Sequence, residues 1–597
     1  MRRGIFWLVF GCLVAATAGP GARAVTEDPT SKATSVQEDI ERARQALAAK
    51  RFKEAAALAN EAIKMAGNDK AAAVAYEVLA SALYQGNDPN GAIAALKQAL
   101  RVNPTYLPAL FSLGGIEFNA RHFPEARQYL EQAVKINPDM LPAHERLALV
   151  LQEMGDQAGA IREYEAGLLK TPPDYAGTKF NLAELYIAAG RPADAIRLVQ
   201  PLVKANSDKH AVLVLATAYL ATGDAKKAVP LYTQALLYDR KDVAVALALG
   251  TAQRMAGLEN AALEQLKQVA QAAPESGAAW YQLGLTYAAL QRYADAKTAL
   301  VRAIELEPKS LIFRDALGRT LLAAHEPTAA LAVYQEMIKA DDAALGVYDG
   351  LARAYVALDR PEEAETAYRD GLKRYPKDPN AYARLGAMLV QHAKYEEALG
   401  VLSDGDRLAP DEPSIVGDMA VAQWRLGKMS DAIATGRRLV NARPKDPRAK
   451  FLLATLVEDS GDNAQAITLY HEVLADDPNN PQALNNLANC LIDTGEAKDA
   501  VPLARKAMQL HPDDADITDT LGWALLKSGQ TPEALTMLKT ATGLRPRDPT
   551  LLYHLAVAQK QSGDPQAARA TLATALELPG QFKDATAARA LQTELSK

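Results

Sequence analysis

Cysteine is almost absent from this 597-residue chain, which holds only Cys12 and Cys490. Cys12 lies in an apolar N-terminal stretch, so Cys490 stands alone in the remainder and no internal disulfide framework can form. The eight histidines are scattered, and none keeps a metal-ligand spacing with a cysteine or a second histidine. No glycine-rich phosphate loop occurs, and no serine sits in a nucleophile elbow. Aromatic residues make up 6% of the chain, alanine is abundant, and alternating β-branched runs are missing, which argues against sheet and for closely packed helices. The formal charge of −6 is too mildly acidic for general nucleic-acid binding. These absences point away from an enzyme and leave no catalytic residue, metal ligand or cofactor to expect.

The N-terminus differs from everything after it. Arg2 and Arg3 precede the apolar residues 5–18, then come Gly19, Pro20 and Gly21, and then Ala22-Arg23-Ala24. That order reads as a secretory signal over residues 1–24, cleaved after Ala24. The apolar stretch falls short of the roughly 20 residues a membrane span needs, which argues against an uncleaved anchor. Lipidation at Cys12, behind Val9, Phe10 and Gly11, is a further alternative, opposed by apolar sequence that runs on past the cysteine. Cleavage removes Arg2, Arg3 and Arg23 and no acid, so −6 becomes −9. Residues 25–34 are expected to be a flexible linker. The expected location is the periplasm, with outer-membrane association left open and no integral span after cleavage.

What the chain has in quantity is a period. Prolines recur 34 residues apart at Pro104, Pro138 and Pro172, at Pro274 and Pro308, and from Pro376 through Pro410, Pro444, Pro478 and Pro512 to Pro546. With that proline set as position 32 of each unit, other positions fall into line. Position 8 is small, as in Gly114, Gly250, Gly284, Gly318, Gly386 and Gly522. Position 20 is alanine in every clear unit from Ala92 to Ala568. Position 24 is large and apolar in most units, as in Leu130, Tyr164, Leu300, Tyr334 and Tyr470. Position 15 is often glycine, as in Gly155, Gly223, Gly461 and Gly529. Positions 4, 7, 8 and 11 share one helix face, small residues at 8 and 20 let two helices approach, and glycine then proline stop them in turn. A fixed period of this length marks an array of helix–turn–helix units.

This pattern resembles the tetratricopeptide repeat. One unit carries Trp280, Leu283, Gly284, Tyr287, Ala296, Ala303 and Pro308; another reads ALNNLANCLIDTGEAKDAVPLARKAMQLHP from Ala483. Fifteen units are clear from about Ala73 to Gly580, and a weaker one over about 37–68 has Ala55 at position 20. The resemblance implies an all-α, right-handed superhelical solenoid of about 15–16 units. We expect it to occupy residues 35–580, followed by a C-terminal capping helix over 581–597. Ser207 and Arg240 stand where the closing proline is expected, so a different bend is expected near 205–242.

In that family the first helices line a concave groove through positions 2, 5, 9, 12 and 13. Carried onto this sequence, those positions hold Tyr84, Phe111, Phe118, Phe180, Tyr281, Trp424, Phe451, Trp523 and Tyr553, with Asn485 and Asn489. Glu458, Asp459 and Asp493 flank them together with Asp516 and Asp519, an arrangement that departs from a carboxylate clamp and suits an apolar, hydrogen-bonding or cationic ligand. The competing reading is that several of these aromatics only pack between neighbouring first helices. Two charge clusters read as solvated or capping features: the basic Arg437, Arg438, Arg443, Lys445, Arg448 and Lys450, and the acidic Asp513, Asp514, Asp516 and Asp519. Cys490 sits where other units have alanine, so it reads as a small packing residue.

Residues 517–597 carry a narrower resemblance. Asp519-Thr520-Leu521-Gly522-Trp523, Tyr553-His554-Leu555-Ala556, Gly563-Asp564, Ala568-Arg569 and Phe582 look like the ending of exported repeat proteins of bacterial exopolysaccharide and exosortase (PEP-CTERM) systems. Together these features suggest a non-enzymatic periplasmic scaffold whose partners are envelope or polysaccharide-export proteins. The alternative is a receptor or chaperone-like protein holding one extended peptide or glycan in the groove.

Overall fold

A computed structural model describes residues 29–169, 176–204, 207–340, 344–578 and 582–596. Among these residues there are 33 α-helices and no strand. The contacts divide the chain into two units, Met1–Leu306 and Glu307–Lys597. In the first, helix pairs follow one another from Pro29–Ala48 with Phe52–Ala66 to Gly277–Ala289 with Tyr293–Leu306. In the second they run from Leu311–Ala323 with Pro327–Lys339 to Pro549–Gln561 with Pro565–Glu577, and helix Ala585–Leu595 follows. That last helix lays Ala588, Leu591 and Leu595 on Ala556, Ala568 and Leu572.

The expected signal segment lies outside the described residues. The linker expected over 25–34 does not hold throughout, because the first helix already starts at Pro29. Proline suits a first helical position, where its missing N–H would have had no partner. The weak unit over 37–68 is a full helix pair.

Each pair closes on the contact that the period points to. The position-20 alanines, from Ala92 to Ala568, are all 0% exposed. A Cβ built on Gly114, Gly250, Gly284, Gly386 or Gly522 would fall 2.2–2.7 Å from the leucine at position 24 of its own unit. On Gly318 it would fall 2.5 Å from the Tyr334 ring. Two backbones approach this closely only where a side chain is missing. Cutting such a buried leucine to alanine costs about 2–5 kcal/mol.

Successive pairs are joined by a contact absent from the sequence pattern. At three junctions the carbonyl of the recurring proline accepts a hydrogen bond from position 4 of the next unit. His144 Nε2 lies 2.9 Å from the Pro138 oxygen, Trp280 Nε1 2.9 Å from that of Pro274, and Tyr382 Oη 2.9 Å from that of Pro376. Ion pairs between units add to this, among them Lys209–Asp242 at 2.6 Å, Lys394–Glu365 at 2.7 Å and Arg505–Glu533 at 2.8 Å. Where both partners are exposed, as in Arg505–Glu533, such a pair contributes about 0–1 kcal/mol.

The irregular segment falls earlier than the missing prolines suggest. Second helix Pro192–Val199 stops short and continues as the 3-10 turn Gln200–Leu202. Pro201 has no N–H to return to the preceding turn, so the helix cannot run on. The next second helix, Ala225–Tyr238, has the usual length although Arg240 follows it.

All sixteen units turn at position 15 through a left-handed residue. Nine use glycine, with φ from 72° at Gly190 to 90° at Gly495. Seven place Lys50, Asn87, Arg121, Gln291, His325, Asp359 or Ala393 there, with φ between 56° and 68°. A side chain in this conformation costs about 1–2 kcal/mol. Ala393→Gly should therefore raise stability by about 1 kcal/mol in urea unfolding, after the entropy that glycine adds to the unfolded chain, and Gly529→Ala should lower it by a similar amount. Equal midpoints for the two variants would contradict a common turn geometry.

Candidate functional site

The candidate surface is built by the first helices, which touch one another through repeated pairs of positions. Position 12 of one unit meets position 13 of the next. Asn119 Nδ2 donates to Tyr84 Oη at 3.1 Å, and Trp424 Nε1 donates to Asp459 Oδ2 at 2.8 Å. The same ladder ends on the last helix, where Lys560 Nζ donates to Glu594 Oε1 at 2.6 Å. Position 5 meets position 6 of the next unit. The Arg146 guanidinium lies 4.7 Å above the Phe111 ring, and His554 Nδ1 lies 2.7 Å from Asp519 Oδ2. Position 5, expected to face a ligand, is thus also a seam between units.

That seam decides several of the candidates. Phe180 is 5% exposed and packs edge-on against His210 at 5.9 Å between ring centres, so it is a core residue and offers no ring to a ligand. Phe111, Phe118, Tyr281, Trp424, Phe451, Asn489, Trp523 and Tyr553 are half-buried, while Asn485 is buried. Phe118 leans on Phe123 of its own unit at 5.9 Å, and Phe451 on Tyr470 at 5.9 Å. Only toward the C-terminus does the structure gather several candidates. Trp523 stacks on His554 with ring centres 4.0 Å apart, and Tyr553 stands 6.3 Å from Trp523. Lys527 Nζ sits 4.5 Å over the Trp523 ring.

Asp519 and His554 form the polar centre of that group. Burial pushes the Asp519 carboxyl above the usual carboxylate range, and the His554 contact opposes the shift. His554 Nε2 lies 3.8 Å from Asp584 Oδ2, just before the last helix, so one imidazole links helices Ala515–Lys527 and Pro549–Gln561 to the start of the last helix. The sequence singled out Trp523 and Tyr553 but gave His554 no role. Asp519 is no helix-terminal charge, whereas Asp514 caps its helix by accepting from the backbone N–H of Asp516 and Ile517. Asp516 pairs with Arg545.

A second polar cluster lies on the preceding two first helices, Pro447–Asp459 and Pro481–Asp493. Tyr470 Oη donates to Glu458 and accepts from Asn486 Nδ2 at 3.0 Å. Burial raises the Glu458 carboxyl and pushes the Cys490 thiol up to about 12. A thiol held protonated is a poor nucleophile, and Cys490 is buried as its repeat position implies. The basic stretch is drawn into structural pairs: Arg438 spans Asp406 and Asp411 at 2.7 and 2.9 Å, and Lys450 meets Asp476 at 2.6 Å.

Among the described residues, no three His, Cys, Asp or Glu side chains could hold a metal, and no helix is long and apolar enough to cross a membrane. Family models described as Tetratricopeptide repeat match residues 40–105, 77–140, 151–218, 213–277, 277–310, 345–388, 389–456, 459–523, 493–549 and 525–595. The chain belongs to the tetratricopeptide repeat superfamily, whose members are in general non-catalytic scaffolds that bind other proteins. No curated protein matches it. Among solved structures it is similar to the APC/C hetero-tetramer Cut9-Hcn1, at 14% identity over 89% of this chain and 98% of that one, with a TM-score of 0.40. It is also similar to Naa15/Naa10 bound to HypK-THB, at 15% identity over 94% and 96%, with a TM-score of 0.34. A third similarity is to MamA from Desulfovibrio magneticus RS-1, at 21% identity over 28% and 95%, with a TM-score of 0.27. At these scores the likenesses carry no argument about this chain's partners.

Two tyrosines at position 24 separate packing from polar function. The Tyr334 hydroxyl is buried without a hydrogen-bond partner, whereas Tyr470 Oη serves Glu458 and Asn486. Tyr334→Phe should leave the melting temperature unchanged or raise it. Tyr470→Phe should cost about 1–3 kcal/mol, because it strands buried polar partners. Equal losses in thermal unfolding would contradict these assignments.

Proposed function

We propose that this chain is a non-enzymatic scaffold of the bacterial periplasm that joins components of an envelope assembly for exopolysaccharide export. The observation that carries the reading is the run of family repeats over most of the chain. Export is supported by the order Arg2-Arg3, apolar 5–18 and Ala22-Arg23-Ala24. The polysaccharide setting rests on the resemblance of residues 517–597 to exported proteins of exosortase systems. A receptor for one extended peptide or glycan is the second reading, favoured by the gathering of Trp523, Tyr553 and His554 at one end.

Cross-linking pull-down from the native host tests both, with mass spectrometry of the mature N-terminus. The scaffold reading expects a chain beginning at Val25 that captures several envelope proteins. Half-buried aromatics at such surfaces are frequent binding hot spots, so Trp523→Ala should reduce capture several-fold per folded molecule. Capture of one ligand class at fixed stoichiometry would favour the receptor instead. An intact Met1 would contradict export by cleavage.

A further inference from the structure

Lys583 makes an ion pair of unusually long sequence separation. It stands between second helix Pro565–Glu577 and the last helix, and its Nζ lies 3.3 Å from Asp493 Oδ2, 90 residues earlier in the chain. The inter-unit pairs described above join neighbouring repeats; this one reaches back past two whole units, residues 515–548 and 549–582. Its charge is also felt by Glu458, one first helix further back, and by Cys490.

What Lys583 reaches is a face of acceptors. Asn485, Asn489 and Asp493 follow one another at i, i+4 and i+8 on helix Pro481–Asp493, so they share one stripe. Glu458 and Asp459 end the preceding first helix, and Asp519 stands at the position of Asn485 on the following one, Ala515–Lys527. Among the described residues, two oxygens here have no donor. Asn485 is 9% exposed and Asp519 7%, and the Oδ1 of each is buried without a hydrogen-bond partner. A buried acceptor left unmade costs about 1–3 kcal/mol, so both oxygens favour a ligand that brings N–H donors. Their surroundings are negative, so the donor that fits is a cation: a lysine ammonium or an arginine guanidinium.

We propose that the first-helix face from Glu458 to Asp519 binds lysine or arginine side chains of an extended protein segment, and that Lys583 competes with that segment as a tethered placeholder. The proposal rests on the reading that the first helices form the binding surface, and it adds the chemistry of the partner and a means of regulation. The tether keeps the acidic face shielded until a multivalent basic segment displaces one lysine with several. Because Lys583 is 80% exposed at its side chain, displacing it disturbs no core.

Fluorescence anisotropy with labelled octalysine, and octaglutamate as control, tests this on the full chain at physiological salt, with circular dichroism confirming each fold. Octalysine should bind and octaglutamate should not. Lys583→Ala should tighten octalysine binding at least threefold, whereas Lys539→Ala, an equal charge change on an exposed second-helix site, should not tighten it. Glu458→Gln with Asp493→Asn should weaken binding about tenfold. Glu472→Gln with Asp499→Asn, which removes the same charge from second helices, should stay within twofold. If the second-helix pair weakens binding as much as the first-helix pair, or if Lys583→Ala changes nothing, the proposal is overturned. Should that happen while Trp523→Ala still abolishes partner capture, the first-helix surface stands and only its cationic ligand is wrong.

Discussion

Every unit of this protein sets a small residue at position 8 beside an alanine at position 20, and in most units the large side chain of position 24 is pressed into the gap, Ala59, Gly436 and Ala504 being the exceptions. The contact is short enough that a single methyl group on Gly386 would overlap Leu402 at 2.2 Å. Because it is made within a unit, each pair of helices can close locally. Interiors packed at this density transmit any added volume to their neighbours, so the small positions also set the spacing at which the next unit docks. The core therefore grows by repetition in one dimension, and no disulfide is needed to hold it.

Docking between units uses different chemistry. At three junctions the proline that ends a unit contributes its carbonyl as well as its ring, accepting from His144, Trp280 or Tyr382 at position 4 of the next unit. Three unlike side chains serve one geometric purpose, which is why no single residue type recurs there. First-helix side chains then form a second seam, through pairs such as Trp424 with Asp459 and Asp519 with His554. A scaffold built this way has little freedom at the seam, and its surface is left to the side chains that the seam does not use. The Oδ1 of Asn485 is of that kind, while Phe180 is not.

The fold could be read from the residues that are constrained by size. Gly284, Ala296 and Leu300 announce themselves because only small or large side chains fit, and the left-handed turn is visible wherever glycine occupies it. The turn was hidden where Gln291 or Ala393 takes the same backbone conformation, since the strain there is borne without a compositional mark. The surface was harder to read. Periodicity places Phe111, Phe180 and Tyr553 on one helix face, but whether such a ring faces solvent depends on how far the next first helix is rotated toward it. A one-residue insertion before Ala195 and the 3-10 turn at Gln200–Leu202 alter that locally. His554 went unassigned for the same reason, because its partners Asp519 and Asp584 come from two other elements. Lys583 could not be placed on Asp493 by any repeat rule, as its segment lies beyond the last unit.

The most direct test of the central claim is the thermal unfolding of Ala296→Leu beside Thr298→Leu. Both lie on helix Tyr293–Leu306, two residues apart, and both add the same side chain; Ala296 is fully buried in the contact and Thr298 is exposed. Overpacking should cost Ala296→Leu about 1–3 kcal/mol, while Thr298→Leu should stay within about 0.5 kcal/mol of the parent. Equal losses in the two variants would contradict the register on which the whole account is built.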